Sequence, residues 1–298
     1  MDVSTLAILP PHVKDLGGFT VKRLLPAHPH KMVGPFIFFD HFGPANFAAG
    51  QGLDVRPHPH IGLATVTYLF DGAVFHRDSL GSMQAIHPGD VNWMTAGQGI
   101  AHSERTPEDL RKSGSSLHGI QTWVALPKEH ERAPAAFEHH PAATLPAITM
   151  PGVALRVIAG SAFGKTSPAG TLSDMFYVVA EMERGSRLAI PAEYEERAVY
   201  AVEGEITIEG EALENRHMGV LPGGREITIE ATARARVMLL GGKPMDGDRF
   251  IWWNFVASSR EAINEAKQRW LQHGFGSIPG ETEWIPLPDE PKPPETFS

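Results

Sequence analysis

The chain has 298 residues and no cysteine. Disulfides, thiolate metal ligands and cysteine nucleophiles are therefore excluded. Long apolar runs are also missing. A helix needs roughly 20 consecutive apolar residues to cross a bilayer, so no membrane span is expected. Met1 to Leu9 lack a basic start followed by an apolar stretch, which predicts no secretory leader. A cytoplasmic location follows as the expectation. Positive charge is in short supply: 26 Lys and Arg stand against 35 Asp and Glu, for a formal net charge of −9. An acidic chain repels a phosphate backbone unless it carries a basic cluster, and none is visible. Direct binding to nucleic acid is not expected.

What the chain has instead is turn punctuation, with 30 Gly and 25 Pro spread along it. Between them lie short runs rich in Val, Ile, Tyr and Thr. They are Ala64–Phe70, Gly119–Leu126, Ala154–Ile158, Met175–Glu181, Ala198–Val202, Glu205–Glu209, Glu226–Glu230 and Arg236–Leu240. Such runs predict the strands of an all-β sandwich or barrel. One helix is predicted late in the chain. Ser258 and Ser259 can cap it, Ile263, Ala266, Lys267 and Trp270 share a face, and Gly274 ends it. Beyond Ile278 the Pro- and Glu-rich tail is expected to run extended.

The two halves echo each other. Leu69-Phe70-Asp71-Gly72-Ala73-Val74 parallels Ala201-Val202-Glu203-Gly204-Glu205-Ile206, and a second Gly turn follows each. A repeated β unit is the economical reading. Pro127 to Pro151 has little periodicity and is expected to link the halves, giving domains 1–140 and 141–298.

The chemistry lies in two stretches. One ends in His58-Pro59-His60; the other in His102-Ser103-Glu104. Side chains two apart on a strand point the same way, so each pair aims two ligands at one face. Two such strands together give three imidazoles and one carboxylate. That set suits Fe(II), Mn(II), Cu(II), Ni(II) or Zn(II), and suits Ca(II) or Mg(II) poorly. His28-Pro29-His30 is a second HPH with no matching ligand pair after it, and is read as a solvated loop. His76, His87 and His118 are read as packing or hydrogen-bonding residues, and His139-His140 as exposed in the linker.

The motifs resemble a known family. Gly52, His58, His60 and Gly72 follow the first motif of the cupin superfamily. His58-Pro59-His60-Ile61-Gly62, His76-Arg77-Asp78-Ser79-Leu80-Gly81, the run Gly89 to Glu104, and Gly119-Ile120-Gln121-Thr122-Trp123-Val124 look like pirin. So does Ile251-Trp252-Trp253-Asn254-Phe255-Val256. The resemblance implies a bicupin of two antiparallel β-barrels with a short C-terminal helix. It implies one metal, usually iron(II), held by His58, His60, His102 and Glu104 in the N-terminal barrel, and a metal-free C-terminal barrel. The place equivalent to the histidine pair is expected near Tyr194, Glu195 and Glu196. One departure is Ala64, where the family usually has Glu, which is expected to change the charge of the pocket.

The resemblance further implies quercetin 2,3-dioxygenase activity, with a flavonoid-like substrate and dioxygen. Glu104 would then be the catalytic base that takes the substrate's hydroxyl proton. The alternative is a metal- or redox-sensing regulator that binds a partner protein.

Overall fold

The computed structural model describes residues 5–15, 19–288 and the backbone of 295–297. The predicted strand runs all form strands, and the pairings between them are antiparallel. Two compact units interleave along the chain. One comprises Met1–Lys14, Lys22–Phe39 and Ala143–Met245; the other comprises Asp15–Val21, Asp40–Ala142 and Asp246–Ser298.

The unit built mainly from 143–245 has a larger and a smaller sheet. The larger runs in the order Ala7–Leu9, Met218–Leu221, Glu196–Glu203, Ala235–Gly242, Met175–Met182, Val153–Ala162, Ala147–Met150. The smaller runs Arg187–Ile190, Ile227–Ala231, Ile206–Ile208, Glu211–Leu213. Both contribute to one apolar core, including Leu155, Val178, Leu188, Ile190, Ile206, Ile229 and Leu239. Alternate residues of Arg187–Ile190, Ile206–Ile208 and Ile227–Ala231 are buried in it, whereas Met175–Met182, Glu196–Glu203 and Ala235–Gly242 are buried almost throughout.

The other unit repeats the plan. Its smaller sheet runs Asp54–His60, Ile100–Arg105, Val74–Asp78, Met83–Ile86. Its larger sheet includes Ala136–His140, Val91–Thr95, Leu63–Asp71 and Ser115–Ala125 in that order. Leu53, Leu69, Val74, Ile86 and Leu117 fill one end of its interior. A second cluster joins Ile61, Trp252, Phe255, Ile263, Ala266 and Trp270. The expected all-β fold of two cupin-type units with a C-terminal helix is thus present.

That helix spans Arg260–Leu271, and the Ser259 side chain accepts from the Ala262 N–H as an N-cap. Ile263, Ala266 and Trp270 are its buried residues, and the Lys267 ammonium sits 3.8 Å above the Trp252 ring. The helix ends slightly before Gly274. His273 takes the left-handed turn at φ 56, and the Gly274 N–H reaches back to the Arg269 carbonyl. A second helix, Glu108–Ser113, is too short to show a period in the sequence. Among the described residues no helix is long and apolar enough to cross a membrane.

The stretch expected to be an irregular linker is largely ordered. Ala136–His140 pairs with Val91–Thr95, and Ala147–Met150 with Val153–Ala162. Its prolines sit outside these strands, and so mask them in a composition-based reading. His139 and His140 are accordingly half-buried on a strand rather than exposed.

Candidate metal centre

Asp54–His60 and Ile100–Arg105 are neighbours in the smaller sheet, and His102 lies directly opposite His58. The ladder is irregular between His102 and Glu104, so Glu104 pairs with Val55. The extra residue lies on the Asp54–His60 strand, while His102 to Glu104 keep a regular ladder with Val74–Asp78. The HPH proline is tolerated because Pro59 falls on the edge strand of this sheet.

The three imidazoles converge. Their ligand atoms all lie within 4.8 Å of one another, and His60 Nε2 is 3.1 Å from His102 Nε2. His58 and His102 have ring centroids 4.4 Å apart. The far sides of the rings are engaged elsewhere. His58 Nδ1 donates to the Arg56 carbonyl at 2.8 Å, and His60 Nδ1 to the Asn254 carbonyl at 3.1 Å. A neutral imidazole has one N–H, so both Nε2 atoms are left with bare lone pairs. His60 Nε2 thus turns a lone pair toward His102 Nε2, and the three rings bring buried nitrogen donors close together. The donor set therefore fits a metal ion.

Burial sets the electrostatics. It pushes His58 down to about 4, against the favourable Arg56 carbonyl. It holds His60 and His102 well below the ordinary histidine value, with His58 adding to the effect at both. All three imidazoles are therefore neutral near pH 7, the state in which a histidine can ligate a metal. Glu104 is buried two residues from His102 on the same strand but is not part of the converging trio. Gln121 Nε2 donates to both its oxygens at 3.0 and 3.1 Å, and Thr67 Oγ1 lies 3.4 Å from Oε1. Burial raises its pKa, and the Gln121 and Thr67 contacts partly offset this.

The family model described as Pirin matches residues 18–124, and that of the Pirin C-terminal cupin domain matches residues 177–276. A pirin-like protein from Caulobacter vibrioides is 50% identical over 93% of this chain and 96% of its own length. The chain belongs to the pirin family. A crystal structure of a quercetin 2,3-dioxygenase from Acinetobacter baumannii has TM-score 0.91 and 36% identity, covering 98% of each chain. A bacterial pirin from Escherichia coli, solved in complex with nickel(II), shares the fold at TM-score 0.63 and 20% identity. It covers 81% of this chain and 100% of its own.

Other positions singled out in this pirin take different places. His28 is exposed in a loop and His30 half-buried beside it. His118 is buried against His41, with their Nε2 atoms 2.7 Å apart. His76 lies beside His102 and stacks on Phe137. Ala64 and Thr67 are an odd number of residues apart on one regular strand, so they face opposite sides of the sheet. The Ala64 departure therefore does not change the charge beside Glu104.

The second unit differs inside. Its smaller sheet has the same strand order, but its inward positions are Leu188, Ile190, Ile206, Ile208, Ile227, Ile229 and Ala231. The counterpart of the histidine strand is Arg187–Ile190, not the Tyr194 to Glu196 region. The connection after it, 191–195, is longer than the two residues Ile61 and Gly62 that follow His60, which displaces a residue count.

Gln121, Thr67 and the Asn254 carbonyl were not read as site groups. Gln121 and Thr67 look like ordinary strand residues, and a carbonyl carries no residue-type signal. The Trp252-Trp253-Asn254-Phe255 motif was the one available hint, and the His60–Asn254 bond gives it a role.

Proposed function

We propose that this pirin is a metal-dependent dioxygenase that opens the ring of a flavonol. His58, His60, His102 and Glu104 would hold one divalent transition metal, with iron(II) first and Mn, Ni, Cu or Zn compatible with the same donors. The observation that carries the reading is the convergence of three buried imidazoles whose Nδ1 atoms are engaged elsewhere, with a buried carboxylate two residues from His102 on its strand. The likeness to a quercetin 2,3-dioxygenase structure supports the substrate class.

When bound, the metal supplies a Lewis-acid site that acidifies a coordinated hydroxyl and a place for dioxygen beside it. The chain's own part is to bind, orient and take a proton. Glu104 accepts the proton of the flavonol hydroxyl. Its raised pKa makes it a stronger base than an exposed glutamate, and Gln121 fixes both of its oxygens. Dioxygen is the oxidant and supplies both inserted oxygen atoms, while the ring carbon bearing the hydroxyl leaves as carbon monoxide.

The test is anaerobic purification with elemental analysis, then oxygen uptake over a panel of flavonols. Uptake that requires both metal and flavonol is the expected result. A metal-replete protein with no uptake on any flavonol would overturn the enzyme and favour the regulator that binds a protein partner.

A further inference from the structure

The three histidines do not obtain their orientation in the same way. His58 and His60 give their Nδ1 protons to backbone carbonyls. His102 faces a side chain instead, with its Nδ1 3.4 Å from His76 Nδ1. Behind His76 stands Asp78, whose Oδ2 is 2.9 Å from His76 Nε2. Asp78 is itself fixed, because its Oδ1 accepts the backbone N–H groups of Leu80 at 2.9 Å and Ser82 at 3.0 Å.

Each contact determines the next. A carboxylate only accepts, so His76 carries its proton on Nε2. With that proton directed at Asp78, the His76 Nδ1 is the ring nitrogen that faces His102 as acceptor. His102 must donate to it from Nδ1, and its Nε2 is left bare on the side facing His60. Phe137 stacks on the His76 ring at 4.2 Å and 12°, holding its plane. Asp78, His76 and His102 are all buried, so water does not compete.

The internal repeat supplies an independent observation. In the unit whose smaller sheet lacks histidines, the strand corresponding to Val74–Asp78 is Ile206–Ile208, and its buried inward positions are Ile206 and Ile208. The polar pair His76 and Asp78 is thus present where the ligand-type residues are present and aliphatic where they are aliphatic. Packing alone would not require that association, since the aliphatic version of the same strand packs well.

We propose that His76 and Asp78 are positioning residues of the metal centre, holding His102 in the Nδ1–H tautomer so that Nε2 is free to ligate. This rests on the reading of His102 as a ligand. His102 is the ligand whose tautomer depends on a side chain, so it is where substitution outside the ligand set can loosen the site.

The experiment uses the full-length protein, stripped with a chelator and titrated with nickel(II) by equilibrium dialysis. The ligand-field absorption of the bound ion is recorded alongside. His76→Phe keeps a ring to stack on Phe137 and removes the acceptor. It should weaken nickel binding by roughly 10–100-fold, the range for lost outer partners of a metal-bound histidine, and shift the absorption bands. His76→Gln keeps an amide oxygen for His102 and an amide N–H for Asp78, and should recover most of the affinity. Asp78→Asn should weaken binding less than His76→Phe, and it decides the matter if His76→Phe does not fold. Parental affinity and bands in His76→Phe, or in Asp78→Asn should His76→Phe not fold, overturn the proposal. His102→Ala separates the two layers. If the parent binds no nickel, or His102→Ala binds as well as the parent, the centre is misassigned and the relay falls with it. If the parent binds through His102 and His76→Phe matches it, the relay alone falls.

Discussion

Ser103 Oγ donates to Glu281 Oε1 at 2.8 Å, tying the residue between His102 and Glu104 to one 178 positions later. Strand alternation explains the arrangement: His102 and Glu104 point one way, and Ser103 the other. Glu281 also takes two bonds from Arg105, at 2.7 and 2.6 Å. The strand Ile100–Arg105 is therefore clasped on the face opposite His102. Glu281→Ala should cost on the order of 2 kcal/mol, because Arg105 is partly exposed and keeps Asp54 and Glu283. Urea denaturation measures the loss, and metal binding should weaken with it.

His60→Ala removes one of the three proposed imidazole ligands without disturbing a large core position. The variant should keep its far-UV circular dichroism and lose most of its bound metal by elemental analysis. In metal-loaded crystals of the parent, the four ligand atoms should lie roughly 2.0–2.3 Å from the ion.

Glu104→Gln preserves shape and one acceptor but cannot take a proton. Turnover of a flavonol should fall by about 10²–10⁴, the range for a lost general base, while part of the metal remains. His102→Ala should instead lose metal and turnover together. Equal turnover by metal-loaded Glu104→Gln and the parent would remove Glu104 from the proton transfer.

Acid should destabilise the metal-free protein over a defined window. The ordinary histidine value is 6.5; burial brings His58 to about 4 and His41 to about 3. The unfolded chain therefore takes up these protons first. Where the unfolded state binds more protons, stability rises with pH. The contribution is complete above pH 6.5 and is lost as pH falls toward 4 and then 3. Urea midpoints measured across that range should decline steadily, and a flat profile would contradict the buried neutral state.

Gly62 is two residues beyond His60 and adopts φ +67, and a Cβ there would lie 2.0 Å from the Val256 carbonyl oxygen. Gly62→Ala combines a left-handed backbone with a collision against main chain. It should cost about 2–4 kcal/mol, more than the left-handed conformation alone. Thermal denaturation reads the effect.

The convergence of His58, His60 and His102 was legible because His58 and His60 stand two residues apart on a strand, where spacing alone decides facing. The helix was legible through Ser259 and the shared face of Ile263, Ala266 and Trp270. His76 and Asp78 were not, because their meaning lies in cross-strand register: Glu104 opposes His76, and His102 opposes Asp78. A lone buried histidine looks like packing until its neighbour is known. Glu281 was hidden for the same reason at much greater separation. The equivalent of the histidine strand in the second unit was misplaced because residue counting assumes equal connections.

The acceptor that orients His60 is supplied 194 positions after it, by Asn254, and Ala143–Met245 of the other unit come between. At ordinary synthesis rates of about 5–20 residues per second, His60 waits roughly 10–40 s on the ribosome for its partner. A nascent chain thus exposes its imidazoles without the geometry that selects among ions. On the proposed reading, metal choice would belong to the finished, released protein, with the free-ion levels around it weighed against the intrinsic order favouring copper and nickel over iron.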